Sequence, residues 1–202
     1  MIYFWSDTHF QHNKDFIYES RGFNSIAEHD AALFNSICNT VKPDDDLYLL
    51  GDVCLGDNTT GISYLQSIPC NVHIILGNHD TKTREQIYRE CSNVVEVEYS
   101  TVIKYKKWSF YLSHYPSIVG NFNDKTRPMI KQRWNLHGHT HSSDPFQFIQ
   151  YNAYNVAVDA HLAPVSIDYI IDSIKYVKEH YSKNVYSNLC KADFDNLNDM
   201  IV

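Results

Sequence analysis

Short apolar runs, each closed by a knot of polar side chains, recur along this chain and predict its elements. Ile2-Tyr3-Phe4-Trp5 is apolar and aromatic at successive positions, as in a strand covered on both faces, and leads through Ser6 into Asp7-Thr8-His9. Leu47-Tyr48-Leu49-Leu50 is a second run, stopping at Gly51-Asp52. Val72-His73-Ile74-Ile75-Leu76 is a third; it ends at Gly77-Asn78-His79-Asp80, where the glycine is expected to let the backbone turn sharply. Between the first two, Ser25-x-x-Glu28 is a capping box opening a helix, with Ile26, Leu33, Ile37 and Val41 near helical spacing and Lys42-Pro43 as its stop. Further helices are expected over residues 61–67 and 83–91. Strands that alternate with helices argue for a sheet joined by crossovers, and such sheets gather ligands at the carboxyl ends of their strands.

From Val94 onward the pattern shortens to strands at 94–99, 102–105 and 109–112, read as hairpins with Lys106-Lys107 at a turn. The last of them delivers Ser113-His114-Tyr115-Pro116. A loop and helix over 120–133 lead to Asn135-Leu136-His137-Gly138-His139-Thr140-His141. Residues 151–159 read as strand, turn and strand, and Ser166 caps a helix running to about residue 181. The division is then a domain over 1–180 and a C-terminal extension over 181–202, a short helix or a tail. In an extended chain Asp7 and His9, and likewise His139 and His141, stand at i and i+2 and point to one side.

A chain of 202 residues suits one domain with a sizeable core. No apolar run approaches the ~20 residues needed to span a bilayer. There is no room for a signal peptide ahead of Asp7, so a cytoplasmic location is expected. Five cysteines, an odd number without a C-x-x-C pair, argue against a disulfide framework and a thiolate zinc site. A net charge of −7 argues against an extended nucleic-acid face. Eleven histidines are the compositional departure, and their positions matter more than their number.

Collected in order, the polar strand ends are Asp7, His9, Asp52, Asn78, His114, His139 and His141. Carboxylate, imidazole and amide donors without thiolate suit a borderline-to-hard divalent ion such as Mn²⁺, Fe²⁺ or Zn²⁺. Seven donors exceed one tetrahedral site and suit two ions about 3.5–4 Å apart, if one carboxylate bridges them.

The succession D-x-H, G-D, G-N-H-D, a lone H and G-H-x-H resembles the calcineurin-like metallophosphoesterase superfamily. It is most similar to the small bacterial and phage branch that begins S-D-T-H-F-G-H. Asn155-Val156-Ala157-Val158-Asp159 and Pro164-Val165-Ser166 extend that likeness to about residue 175. The resemblance implies a four-layer α/β/β/α sandwich of two mixed sheets. It places the first metal on Asp7, His9 and His141, and the second on Asn78, His114 and His139, with Asp52 bridging. His79 would lie near the leaving-group oxygen, with Asp80 orienting its ring. The implied activity is dinuclear-metal-dependent hydrolysis of a phosphate ester, a metal-bridging hydroxide being the nucleophile. Manganese is the first choice of ion, with iron, zinc or nickel as alternatives. The chain departs from the branch at Gln11, where glycine is usual, and at Gly22, where proline is usual; both bear on substrate choice.

Residues 104–133 carry seven basic side chains (Lys104, Lys106, Lys107, Lys125, Arg127, Lys131, Arg133) against one acid, Asp124. Lying between two ligand blocks, part of this stretch is expected to hang over the site, with Arg127, Lys131 and Arg133 holding an extra phosphate or a nucleotide. His12, Asn13 and Arg21 are further substrate-binding candidates from the resemblance. The favoured reading is a phosphodiesterase on a small or nucleotide-like ester, with no membrane involved. A nuclease or phosphomonoesterase on the same scaffold is the alternative. A non-catalytic binding module with a vestigial site is a third, against which the presence of all seven ligands and His79 speaks.

Overall fold

The computed structural model describes residues 1–120 and 133–180. Its elements begin with β1 (Ile2–Trp5), α1 (Asp15–Tyr18), α2 (Ile26–Thr40), β2 (Asp46–Leu49), α3 (Asn58–Gln66), β3 (Asn71–Ile75) and α4 (Lys82–Glu90). They continue with β4 (Val94–Glu98), β5 (Ser100–Tyr105), β6 (Trp108–Ser113), β7 (Trp134–His137), β8 (Ala153–Asn155), β9 (Val165–Ser166) and α5 (Ile167–His180). Strands β1 to β4 are parallel in the order β4-β3-β2-β1, and antiparallel β9 closes the free edge of β1. The second sheet runs β5-β6-β7-β8, antiparallel at the β5–β6 hairpin and parallel beyond it.

Successive side chains of a strand point to opposite faces, and that alternation divides the core in two. Trp5, Leu47, Leu49, Val72 and Ile74 face Leu33 and Ile37 of α2, Leu65 of α3 and Tyr88 of α4. Phe4, Tyr48 and Ile75 face the other way, against Phe110, Leu112, Trp134, Leu136 and Tyr154 of the second sheet. Helix α5 completes this second core with Ile167, Ile170, Ile171 and Ile174. Helices, sheet, sheet and helix make the expected α/β/β/α sandwich of two mixed sheets.

Local signals explain where the elements begin. Ser25 Oγ accepts from Glu28 N–H at 3.2 Å, as the capping box requires, while the Glu28 carboxylate takes Asn24 N–H. Helix α3 starts three residues before its expected position because Asp57 caps it, accepting from Thr59 and Thr60 N–H.

Two expectations are corrected. Residues 94–98 are not part of a hairpin; β4 pairs parallel with β3 as the edge of the first sheet. Only Ala153–Asn155 of the expected strand–turn–strand is a strand, because Asn155 spends its side chain on Ser142 O and Ala157 N–H, which turns the chain out of the sheet. The helix expected over 120–133, the extension over 181–202, Arg127 and Lys131 lie outside the described residues. Among the described residues no helix is long and apolar enough to cross a membrane, and Cys38, Cys54, Cys70 and Cys91 are free thiols.

Candidate metal centre

Parallel strands bring their carboxyl ends to one edge, and backbone hydrogen bonds then lace the loops beyond them together. Asp7 N–H donates to Gly51 O at 3.0 Å, His9 N–H to Asp52 O at 2.9 Å and Phe10 N–H to Val53 O at 2.9 Å. His139 N–H reaches across from the second sheet to Asp7 Oδ2 at 2.9 Å. The backbone here is not extended, as the i, i+2 argument assumed. Asp7 (φ 58°), His9 (49°), Asp52 (53°), His139 (68°) and His141 (49°) all occupy the left-handed region. Such conformations are costly outside glycine and persist where the surroundings over-determine them, as they do at functional sites. In both D-x-H and H-x-H, left-handed residues alternate with an ordinary one, and this turns the two ligands to one side. Gln11, also left-handed at φ 65°, stands where the resembling branch has glycine; its main-chain and side-chain N–H groups are held by Asp30 Oδ2 at 2.9 and 2.7 Å. Gly22, at φ 84°, adopts a conformation closed to the proline usual there.

Gly77 is required for a reason other than the sharp turn expected of it. A Cβ there would collide with Asp52 Oδ1, and one at Gly138 with Ser6 Oγ and Asp7 Oδ2. Both glycines let a carboxylate press against main chain.

The ligand-type atoms converge. Asp7, His9 and His141 form one group and Asp7, Asp52 and His114 another, their donor atoms lying within 4.8 Å of one another in each. Asp52 Oδ2 stands 3.8 Å from His9 Nε2 and 3.5 Å from His114 Nε2. His141 Nε2 and His9 Nε2 face Asp7 Oδ1 at 3.8 and 3.9 Å. Asn78 Oδ1 lies 2.9 Å from His114 Nε2, which is 3.2 Å from His139 Nδ1.

These residues fit divalent ions on the evidence of their own unmet needs. Asp7 Oδ1 and His9 Nε2 are buried and have no hydrogen-bond partner, although burying a polar atom unpaired is expensive. Burial pushes the Asp7 carboxyl up, partly opposed by His114 and His141, and pushes His9 well down, leaving it neutral with a lone pair to give. His114 Nδ1 meets Leu50 O at 2.9 Å, which favours the tautomer whose Nε2 carries the lone pair a ligand needs.

His141 is oriented by residues that sequence reasoning missed or misassigned. Its Nδ1 lies 2.9 Å from Asp159 Oδ2, and Asp159 receives Arg21 Nε and Nη2 at 3.0 and 2.9 Å. Burial alone would raise Asp159, but the bonds from His141 and Arg21 and the guanidinium charge hold its carboxyl well below the usual range. Arg21 also donates to Asp7 O and meets His29 Nε2. Four of the five Arg21 N–H donors are thus engaged within the protein, which favours a positioning role over the substrate contact expected of it. Nothing local in Asn155-Val156-Ala157-Val158-Asp159 singled out the final aspartate. Asp159→Asn, which weakens the hold on His141, is expected to reduce affinity for the first metal about 10–100-fold, read by isothermal titration; unchanged affinity would remove Asp159 from the site.

The other candidates divide. His79 is 47% exposed at the mouth, its Nε2 4.0 Å from Asp52 Oδ2 and its N–H donating to Asp52 Oδ1 at 2.9 Å. Asp80 does not orient the His79 ring. Its oxygens accept from Asp52, Val53 and Gly77 N–H and from the Tyr88 hydroxyl, so it fastens the Asp52 loop to the Gly77 turn. His12 is brought to the site, its Nδ1 3.2 Å from His9 Nδ1. Asn13 is exposed beside it, with its N–H turned back to Gln11 O. Arg133 precedes β7 and so stands at the end opposite the one that delivers His139, on the order of 13 Å of strand away.

Known proteins resemble this chain in sequence and in fold. The calcineurin-like phosphoesterase superfamily domain matches residues 1–154. An uncharacterized protein of Methanocaldococcus jannaschii is 30% identical, the match covering 86% of this chain and 91% of that one. The gene 66 protein of Mycobacterium phage L5 is 28% identical over 88% of this chain and 95% of its own length. A crystal structure of a protein of unknown function from Aquifex aeolicus has the same fold, with a TM-score of 0.67 at 23% identity, covering 86% of this chain and 98% of that one.

Proposed function

Since the chain belongs to the calcineurin-like phosphoesterase superfamily, we propose that it hydrolyses a small phosphodiester with two divalent ions at the edge shared by its sheets. One observation carries this reading: two buried carboxylates converge with their imidazole neighbours, and Asp7 Oδ1 and His9 Nε2 among them are buried without a hydrogen-bond partner. We assign Asp7, His9 and His141 to one ion and Asn78, His114 and His139 to the other. Asp52 would be the ligand common to both, its Oδ2 standing 3.8 Å from His9 Nε2 and 3.5 Å from His114 Nε2. When bound, the ions supply Lewis acidity toward phosphoryl oxygens and an acidified water.

The chain's own groups do the rest. The main-chain N–H of His79 holds Asp52 Oδ1, so Oδ2 stays turned inward. Arg84 Nη1 donates to His79 O at 2.9 Å and fixes the turn that presents the imidazole. An exposed imidazole 4.0 Å from the central carboxylate oxygen is placed to give a proton to the departing oxygen. Residues 1–180 constitute the hydrolytic unit in this reading, and 181–202 are appended to it.

The test is an assay panel on protein stripped of metal and reloaded with Mn²⁺: bis-p-nitrophenyl phosphate, p-nitrophenyl phosphate, cyclic nucleotides and single-stranded DNA. Diester hydrolysis that chelation abolishes is expected. No turnover with Mn²⁺, Fe²⁺, Zn²⁺ or Ni²⁺, despite bound metal, would make this a binding module instead. His79→Ala should lower kcat by about 10²-fold at unchanged metal content; a parallel loss of metal would demote His79 to a structural role.

A further inference from the structure

Beside the metal centre lies a cavity of about 680 Å³, within the size range of small-molecule pockets. Phe16, Phe23, Leu33 and Leu162 give it apolar walls, and His141, Asp159 and Arg21 form one end. It meets the centre at two places. The His141 ring lines it while turning Nε2 to Asp7 Oδ1 at 3.8 Å. The Phe16 ring packs edge-on against His12 at 5.7 Å, and His12 in turn lies 5.2 Å from the His9 ring and 6.1 Å from the His79 ring.

Charge decides what the cavity can take. The guanidinium of Arg21 and the carboxylate of Asp159 neutralise each other, and two more of the five Arg21 N–H donors go to Asp7 O and His29. A second phosphate would meet no uncommitted cation among these lining residues. Apolar surface does remain. Phe16 is 68% exposed and Leu162 is 95% exposed at the rim, and large apolar side chains clustered around a concavity mark a binding surface. We propose that this cavity holds the organic arm of the ester, a flat, uncharged aromatic or heteroaromatic ring lying against Phe16 while its phosphoryl group sits at the metals. The proposal rests on the phosphoesterase reading and narrows its substrate class to esters with one planar, neutral arm.

Two phosphonates that differ only in that arm test it. On Mn²⁺-loaded protein, titration calorimetry should find 2-naphthylphosphonate binding about tenfold tighter than methylphosphonate, from the apolar area buried. The double variant Phe16→Ser, Leu162→Ser, at two exposed positions where substitution is tolerated, should abolish most of that preference and leave methylphosphonate unchanged. Equal affinities in the parent protein, or an equal loss of both ligands in the variant, would overturn the proposal. Metal-free protein separates this failure from failure of the phosphoesterase reading. Saturation-transfer NMR should still detect 2-naphthol there and lose it in the variant; absence of the signal in the parent counts against the cavity even if diesters are hydrolysed.

Discussion

Asp52→Asn should lower Mn²⁺-supported diester hydrolysis by on the order of a thousandfold, the several kcal/mol that charge stabilisation at a two-metal site supplies. Asp52 is nearly fully buried, and its two oxygens have separate duties. Oδ1 accepts the His79 N–H at 2.9 Å, and Oδ2 stands 3.8 Å from His9 Nε2 and 3.5 Å from His114 Nε2. An asparagine has one acceptor. If it keeps the bond to His79 N–H, its amide nitrogen takes the place of Oδ2, where a donor group cannot ligate a cation. Bound metal should fall from two ions per chain to at most one, read by elemental analysis beside the assay. Because the side chain keeps its size, the metal-free variant should fold. Hydrolysis within tenfold of the parent would refute a shared ligand at this position.

Mn²⁺ added to metal-free protein should raise Tm by about 5–10 °C for each ion bound. At a hundred times Kd one bound ligand stabilises by about 2.7 kcal/mol, and a chain of this length gains roughly 2–4 °C per kcal/mol. The part of the shift due to the ion held by Asp7 should vanish in Asp7→Asn. That variant's metal-free form should melt no lower than the parent's, an outcome unusual for a fully buried site. Asp7 Oδ1 has no hydrogen-bond partner, and burial pushes the carboxyl up, so its charge opposes folding until a cation arrives. An asparagine removes that charge and can keep the bond from His139 N–H. A metal-free Asp7→Asn protein that melts well below the parent would mean that the carboxylate serves the fold rather than an ion.

The strands and the polar groups at their ends were legible because both are local. Apolar runs such as Leu47 to Leu50 announce a buried strand, and whatever follows such a run lies at the sheet's edge. The sequence did not reveal how these groups are held. Arg21 and Asp159 are 138 residues apart, and their pairing exists only because the turn after α1 and the loop after β8 meet beside His141. Asp80, next to His79 in sequence, turns instead to the main chain of a loop 28 residues away. The edge strand Val94–Glu98 read as part of a hairpin because its short alternation carries no sign of which sheet it joins.

What the amino-acid order determined by itself is an inventory and its delivery: which donors exist, and that the ends of successive buried strands carry them. It did so because strand formation and side-chain alternation depend on neighbours a few positions apart. Which oxygen of which carboxylate faces which imidazole was decided only by tertiary structure. Those distances depend on left-handed turns at Asp7, His9, Asp52, His139 and His141, and such turns persist only when loops from both sheets are bonded to one another.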